Sequence, residues 1–191
     1  MAVTSSTEET TKKTALLMID IQNDYFEGGA WELVGAKEAA LQTQIILKQF
    51  RDKGLPVIHI QHVSMQPGAV FFLPNTEGTE IHELVTPLAT EKVVIKHFPN
   101  SFIQTNLIDI LKEESITHLV ICGMMTNMCV DATTRAAKDF GFECTVISDA
   151  CATRNLELDG KIISADNVHN SFLASFNFYY AEVCKSIDFK F

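Results

Sequence analysis

Short runs of Val, Ile and Leu alternate with amphipathic segments along most of this chain. Runs that are apolar throughout, rather than at every second residue, are typical of strands in a parallel sheet that is covered on both faces. The segments between them carry apolar residues at helical spacing. This order of elements predicts an α/β fold, with a parallel sheet between two layers of helices. The predicted strands are 14–21, 55–62, 92–98, 118–123, 142–150 and 181–188.

The predicted helices have recognisable end signals. Gly54 and Gly141 each follow an amphipathic segment, and glycine is the residue that most often follows a helix C-terminus. Thr105 and Ser164 precede two other segments, and we predict that they are N-caps. The predicted helices are 36–54, 105–116, 126–141 and 164–180.

The length of 191 residues fits one domain, and neither a linker nor a repeat divides the sequence. We expect a flexible arm at 1–13, where the sequence is polar, and a single domain at 14–191. No apolar run approaches the ~18 residues that span a bilayer, and the N-terminus lacks the apolar core of a signal peptide. With a net charge of −9, the chain has no basic block for phosphates. These features predict a cytoplasmic protein that binds neither a membrane nor a nucleic acid.

The five cysteines are irregularly spaced, and no two of them form a Cys-x-x-Cys pair. An odd number without paired spacing argues against both a disulfide framework and a zinc knuckle. We therefore expect reduced, mostly buried thiols at four positions. These positions are Cys122, Cys144, Cys151 and Cys184.

Three reactive side chains stand at or just beyond the C-terminal ends of predicted strands, where open α/β sheets bind their ligands. Asp20 lies between apolar neighbours, as either a helix-capping carboxylate or part of a site. Lys96 is either a lysine that extends to solvent at a sheet edge or a second member of that site. Cys129 falls in the first turn of a predicted helix, where the helix dipole lowers a thiol pKa, although a buried cysteine can also be a simple apolar filler. Together they predict a nucleophilic site in which Asp20 is the base.

The segment 63–82 is long and shows no clear periodicity. Loops of this length in compact domains are usually functional or flexible. Because the segment contains the apolar sequence AVFFLP, we expect it to form either a lid over a pocket or part of a subunit interface.

Four sequence blocks together resemble the isochorismatase-like cysteine hydrolases, a group that includes nicotinamidases, carbamoylsarcosine amidohydrolases, ureido-type amidases and isochorismatases. The blocks are ALLMIDIQNDY, VVIKHFPNSF, VICGMMTNMCVDATTRAAKDFGF and CTVISDACAT, and the resemblance spans about residues 14–188. It implies a three-layer α/β/α sandwich with a mainly parallel, six-stranded, Rossmann-like sheet. It also implies a homodimer or homotetramer, because members of the family are usually homo-oligomers.

The resemblance assigns a catalytic triad to Asp20, Lys96 and Cys129. It further implies a cis peptide bond before the nucleophile, at Gly123–Met124 or Met124–Met125. The backbone N–H groups of Met125 and Cys129 would then form the oxyanion hole. The expected reaction is the hydrolysis of a C–N bond in a small amide, carbamoyl or ureido substrate through a cysteine thioester. The alternatives are an isochorismatase-type hydrolysis of a vinyl ether that releases pyruvate, and a non-catalytic binding protein on the same fold.

The sequence departs from the nicotinamidases of this family at their metal site. Those enzymes carry Asp-x-His near the second strand, whereas this chain reads HIQHVSMQPG. His59 and His62 are three apart on a strand and therefore point to opposite faces. We expect no metal, no cofactor and a substrate other than nicotinamide.

Several residues near the triad segments are candidates for lining a substrate pocket. They are Gln22, Phe26, Trp31, Phe98, Phe102 and Asn127. Three further charged residues are expected to form a buried structural ion-pair network instead. They are Asp131, Arg135 and Asp149.

Overall fold

The computed structural model describes residues 12–191, so nearly all of the predicted arm at 1–13 lies outside the described residues. A six-stranded sheet has the order β3-β2-β1-β4-β5-β8, and every neighbouring pair is parallel. This confirms the predicted parallel sheet. Its strands are β1 (Thr14–Ile19), β2 (Val57–His62), β3 (Lys92–Lys96), β4 (His118–Met124), β5 (Glu143–Ala152) and β8 (Glu182–Cys184).

Four α-helices connect these strands, as the helical periodicity predicted. Gly54 follows the first helix with φ 63°, and the Ser164 hydroxyl caps the last helix by accepting a hydrogen bond from the Asn167 N–H. The prediction that Thr105 is an N-cap was wrong by one residue, because Asn106 precedes the first helical residue. The helices are α1 (Ala36–Asp52), α2 (Leu107–Glu113), α3 (Asp131–Asp139) and α4 (Ala165–Ser175).

The core consists of two apolar clusters, one on each face of the sheet. Along β1, Leu16 and Met18 pack into the cluster that contains the buried face of α1. Leu17 and Ile19 pack into the other cluster, together with residues of α2, α3 and α4. This alternation confirms the three-layer α/β/α architecture, since each strand contributes side chains to both faces.

Two local features were absent from the sequence prediction. A short hairpin of β6 (Leu156–Leu158) and β7 (Lys161–Ile163) lies between β5 and α4. The predicted helix 126–141 begins with a π-helical turn at Thr126–Val130, before α3 starts. All five cysteines are free thiols, as predicted. Of the four expected to be mostly buried, Cys122, Cys144 and Cys151 are buried and Cys184 is partly exposed. Across residues 12–191, the helices are too short or too polar to cross a bilayer.

Candidate active site

The three residues predicted to react lie at one edge of the sheet, beyond the carboxyl ends of its strands. Asp20 directly follows β1 and has a left-handed backbone with φ 52°, which is uncommon for a residue other than glycine. Lys96 is the last residue of β3. Cys129 lies in the π-helical turn after β4. The parallel topology brings these three segments to the same end of the sheet.

The side chains of these residues form one buried cluster. Lys96 Nζ lies 2.7 Å from Asp20 Oδ2, and neither side chain is exposed to solvent. A carboxylate oxygen of Asp20 and Cys129 Sγ are within 4.8 Å of each other. The geometry therefore brings together the acid, the amine and the thiol that were predicted from sequence.

The electrostatics of the thiol differ from the sequence prediction. Burial and the negative charge of Asp20 raise the pKa of Cys129, although Lys96 acts in the opposite direction. The net direction is therefore opposite to the lowered pKa that was expected for a thiol in the first turn of a helix. Burial also disfavours the charged form of Lys96, but the neighbouring Asp20 and Cys129 raise its pKa overall. Both directions favour a protonated lysine and a neutral thiol in the resting site.

His62 joins this cluster, although no sequence signal connected it with the thiol. Its Nδ1 lies 3.1 Å from Lys96 Nζ. One donor atom each from Asp20, His62 and Cys129 lie within 4.8 Å of one another, a set of ligand types that zinc accepts. The Lys96 ammonium, however, already contacts two of these three groups, so the cluster surrounds a cation supplied by the chain itself.

The backbone before the nucleophile contains a cis peptide bond at Met124–Met125, one of the two positions expected. Met125 precedes the π-helical turn, and its carbonyl accepts hydrogen bonds from the N–H groups of Met128 and Val130. The assignment of the Met125 and Cys129 N–H groups to an oxyanion hole stays a prediction.

A cavity of about 590 Å³ opens beside Met125. Of the predicted pocket residues, Trp31 and Asn127 line it. Its remaining wall comes largely from segments that the sequence analysis did not connect with the site, including the β6–β7 hairpin. These further residues are Phe71, Met128, Arg154, Asn155, Leu156, Glu157 and Ile162.

The other predicted pocket residues have different surroundings. Gln22 is fully buried and bonds to the backbone of His62 and Thr79, so its amide is not available to a substrate. Phe26 stacks on the His82 ring at 3.7 Å, beside a different depression. Neither side chain lines the cavity beside Met125, because an aromatic or amide side chain near a motif can equally serve packing.

Two further phenylalanines were also expected to line the pocket. Phe102 packs against Phe140 and Phe142 in the apolar cluster on the α2 and α3 side of the sheet. Phe98 contributes its backbone carbonyl, which accepts a hydrogen bond from Lys96 Nζ at 3.2 Å. Neither ring lines the cavity beside Met125.

The expected ion-pair network is only partly present. Arg135 Nε lies 2.7 Å from Asp131 Oδ1, and both side chains are partly exposed. Asp149 lies elsewhere and accepts hydrogen bonds from Ser186. The helical spacing of Asp131 and Arg135 predicted their contact, whereas nothing local linked them to Asp149.

The loop 63–82 contributes part of the wall of the site. Phe72 is fully buried against the Tyr25 ring, with ring centroids 4.6 Å apart. Phe71 stacks on Trp31 at 4.9 Å. Burial and the charges of Cys129 and Asp20 raise the pKa of Tyr25, which makes this tyrosine a neighbour of the thiol that sequence reasoning missed.

Comparison with known proteins gives consistent matches. The model of the isochorismatase domain matches residues 14–174. An isochorismatase family protein of uncharacterised activity, YddQ from Bacillus subtilis (strain 168), is 51% identical over 89% of this chain and 94% of its own length. The crystal structure of a protein assigned to the isochorismatase hydrolases, from Oleispira antarctica, has a TM-score of 0.90 and 46% identity, over 94% of this chain and 96% of that one. Maleamate amidohydrolase from Pseudomonas putida is 29% identical over 75% of this chain and 74% of its own.

Proposed function

Because this chain belongs to the isochorismatase family of hydrolases, we propose that it is a cysteine amidohydrolase. Its reaction is the hydrolysis of a C–N bond in a small amide, carbamoyl or ureido compound. The observation that carries the proposal is the buried contact of a carboxylate and an ammonium, 2.7 Å apart, beside a thiol. Hydrolysis of a vinyl ether needs a proton donor but no nucleophilic thiol, so Cys129 favours the amide reaction.

Asp20 acts as the base that makes Cys129 nucleophilic. Because burial keeps the thiol neutral at rest, its proton passes to the Asp20 carboxylate as Sγ attacks the carbonyl carbon. A C–S bond forms, the C–N bond breaks, and the proton on Asp20 moves to the leaving nitrogen. Water then cleaves the thioester, and its proton restores the thiol. The net reaction consumes one water and yields a carboxylic acid and ammonia or an amine.

Lys96 stabilises the charges that move during this sequence. Its ammonium contacts Asp20 and lowers the cost of negative charge on the thiol. Within a buried site such a fixed charge acts with little screening by water. Lys96 therefore stabilises the ionised forms of both partners without itself exchanging a proton.

The cavity beside Met125 supports a substrate with an anionic group. The guanidinium of Arg154 lies 4.2 Å from the centroid of the Trp31 ring. Among residues 12–191, no carboxylate forms an ion pair with Arg154, including that of Glu157, which lines the same cavity. The Trp31 Nε1–H is buried and donates no hydrogen bond to any described residue. A carboxylate on a substrate in this cavity would pair with the Arg154 guanidinium, whereas the buried Trp31 N–H lies out of its reach. We therefore propose the amide or carbamoyl derivative of a small carboxylic acid as the substrate class.

The test of the proposed reaction is ammonia release from a panel of small amides and ureides. Each acid-bearing compound is paired with its neutral ester or diamide. Wild type is compared with Cys129→Ala and with Cys144→Ala, which removes a thiol that is equally buried but lies at the start of β5. We expect release by wild type and Cys144→Ala, and a fall of at least about 10³-fold in Cys129→Ala.

Retained turnover in Cys129→Ala would refute the cysteine mechanism. If the folded wild type releases no ammonia from any compound but produces pyruvate from isochorismate, the vinyl-ether reaction replaces this proposal. Equal activity on the acid-bearing and neutral members of each pair would remove the proposed substrate class while leaving the mechanism intact.

A further inference from the structure

We propose that His62 is a positioning residue, whose imidazole holds the Lys96 ammonium against Asp20. The inference rests on the proposed function, because it assigns a task within the same site. It adds a fourth side chain to the acid, amine and thiol already described.

The strand order explains why such a residue is needed. Lys96 ends β3 at the edge of the sheet, whereas Asp20 follows β1, and β2 lies between these strands. The lysine must therefore extend past the end of β2 to reach the carboxylate. His62 is the last residue of β2, and in the sheet register it is the partner of Lys96. Paired residues of adjacent strands project from the same face, so the imidazole lies beside the lysine side chain.

The contacts of the ammonium support this assignment. Lys96 Nζ lies 2.7 Å from Asp20 Oδ2, 3.1 Å from His62 Nδ1, 3.2 Å from the carbonyl oxygen of Phe98 and 3.4 Å from that of Pro99. An ammonium has three N–H donors, and the three shortest of these contacts can engage all of them. Of these acceptors only Asp20 and His62 contribute a side chain, and only that of His62 is uncharged. Loss of its nitrogen would leave one N–H of a buried cation without this partner.

The imidazole is itself held in place. The amide of Gln22 binds the backbone of His62 at two points, with the His62 N–H donating to Oε1 at 2.7 Å and Nε2 donating to the His62 carbonyl at 2.9 Å. Gln22 is fully buried, so this clamp is shielded from water. The end of β2 is thereby fixed relative to the segment that follows β1, which also carries Asp20.

Protonation chemistry fixes the direction of the contact between His62 and Lys96. An ammonium can only donate, so Nδ1 must be the unprotonated nitrogen of a neutral imidazole. Burial lowers the pKa of His62 to about 4, although the nearby Asp20 favours the charged form. His62 therefore remains an acceptor at neutral pH. It carries no positive charge that would compete with Lys96 for the Asp20 carboxylate.

The experiment compares His62→Leu, which removes the acceptor, with His62→Asn, whose amide oxygen can replace Nδ1. Both are measured in the full chain for kcat and KM, and for the rate of Cys129 alkylation by iodoacetamide against pH, read by mass spectrometry. The alkylation assay needs no substrate, so it reports on Lys96 even if no amide is cleaved. The titratable groups near the thiol are Asp20, Lys96, Tyr25 and His62, and only His62 is changed.

We expect His62→Leu to lower kcat about 10- to 100-fold with KM within about threefold of wild type, because the reacting groups are misplaced while substrate binding persists. Its alkylation profile should shift to higher pH, since Lys96 is held less firmly beside the thiol. His62→Asn should recover most of both properties. His118→Gln, at a buried histidine at the start of β4 and therefore at the opposite end of the sheet, is the matched control and should keep the wild-type kcat and alkylation profile.

Equal defects in the Leu and Asn variants would overturn the proposal, because they would assign the role of His62 to packing. A Leu variant with wild-type kcat and an unshifted alkylation profile would also overturn it. If His62→Leu does not fold, His62→Ala is tested with added imidazole, and absence of rescue counts against the acceptor role. If Cys129→Ala retains turnover while His62→Leu still shifts the alkylation profile, the proposed reaction is refuted but the positioning of Lys96 is not.

Discussion

The reactivity of Cys129 is decided by its immediate neighbours rather than by its position near a helix start. Cys129 lies in the short π-helical turn that precedes α3, and burial and the charge of Asp20 raise its pKa. Sequence reasoning selected the residue but could not weigh desolvation against the dipole, because burial depends on the packing of remote segments. In the proposed mechanism a base is therefore required to remove the thiol proton.

This balance predicts opposite effects on reactivity and catalysis in Asp20→Asn. Removing the carboxylate charge lowers the Cys129 pKa, so alkylation by iodoacetamide at pH 7 should become faster than in wild type. Turnover should fall about 10²- to 10⁴-fold, because no base remains to transfer the proton to the leaving group. Mass spectrometry of alkylated Cys129 and a kinetic assay on the same preparation measure the two effects. Slower alkylation together with slower turnover would contradict the proposed electrostatics.

Regular elements were predicted well from the sequence, and irregular ones were not. The apolar runs identified all six strands of the sheet. For the four inner strands this follows from their burial, because a strand covered on both faces needs no partner information to be recognised. The hairpin β6–β7 was missed, since Leu158 and Ile162 are exposed and its strands have three residues each. The clustering of Asp20, Lys96 and Cys129 could be predicted because strand ends converge in this topology. The cavity wall could not, because it is assembled from a loop and a hairpin.

Arg154 belongs to the segment between β5 and this hairpin, and its replacement tests the proposed substrate class. In Arg154→Gln, we expect KM for an acid-bearing amide to rise about 10- to 100-fold, which corresponds to the loss of a charge-assisted contact. KM for the neutral partner compound should change less than about threefold. Lys161→Gln, which removes an exposed charge from the same hairpin, is the control and should leave both values unchanged. A parallel rise for both compounds would indicate damage to the cavity instead of lost anion binding.

The whole molecule carries several buried histidines that must stay neutral in the folded state. His118 joins three strands, since its ring lies 3.2 Å from Thr14 Oγ1 on β1 and 2.9 Å from Thr145 Oγ1 on β5. Burial lowers the pKa of His118 to about 4, from an ordinary value of 6.5, and that of His62 to about 4 as well. The unfolded chain therefore binds more protons than the folded protein between about pH 6.5 and 4.

Glu91 extends this acid sensitivity to lower pH. Burial opposes its ionisation, but Arg51 binds its two oxygens at 2.7 and 2.8 Å, and the Leu88 N–H and His59 also bond to it. These bonds lower its pKa to about 2, from an ordinary value of 4.5. The stability that the ionised Glu91 contributes is thus present above about pH 4.5 and is lost as the pH falls towards 2.

The free energy of unfolding should therefore decrease continuously as the pH falls from 6.5, with a slope of at most about 1.4 kcal/mol per pH unit for each histidine that becomes protonated on unfolding. Urea unfolding at a series of pH values between 7.5 and 4 measures this slope. His118→Gln should lower the free energy of unfolding at pH 7.5, because the contacts with Thr14 and Thr145 are altered. It should also reduce the slope by the contribution of one histidine, at most about 1.4 kcal/mol per pH unit. A stability that stays constant from pH 6.5 to 4.5, or a variant slope equal to that of wild type, would show that these histidines are already protonated in the fold.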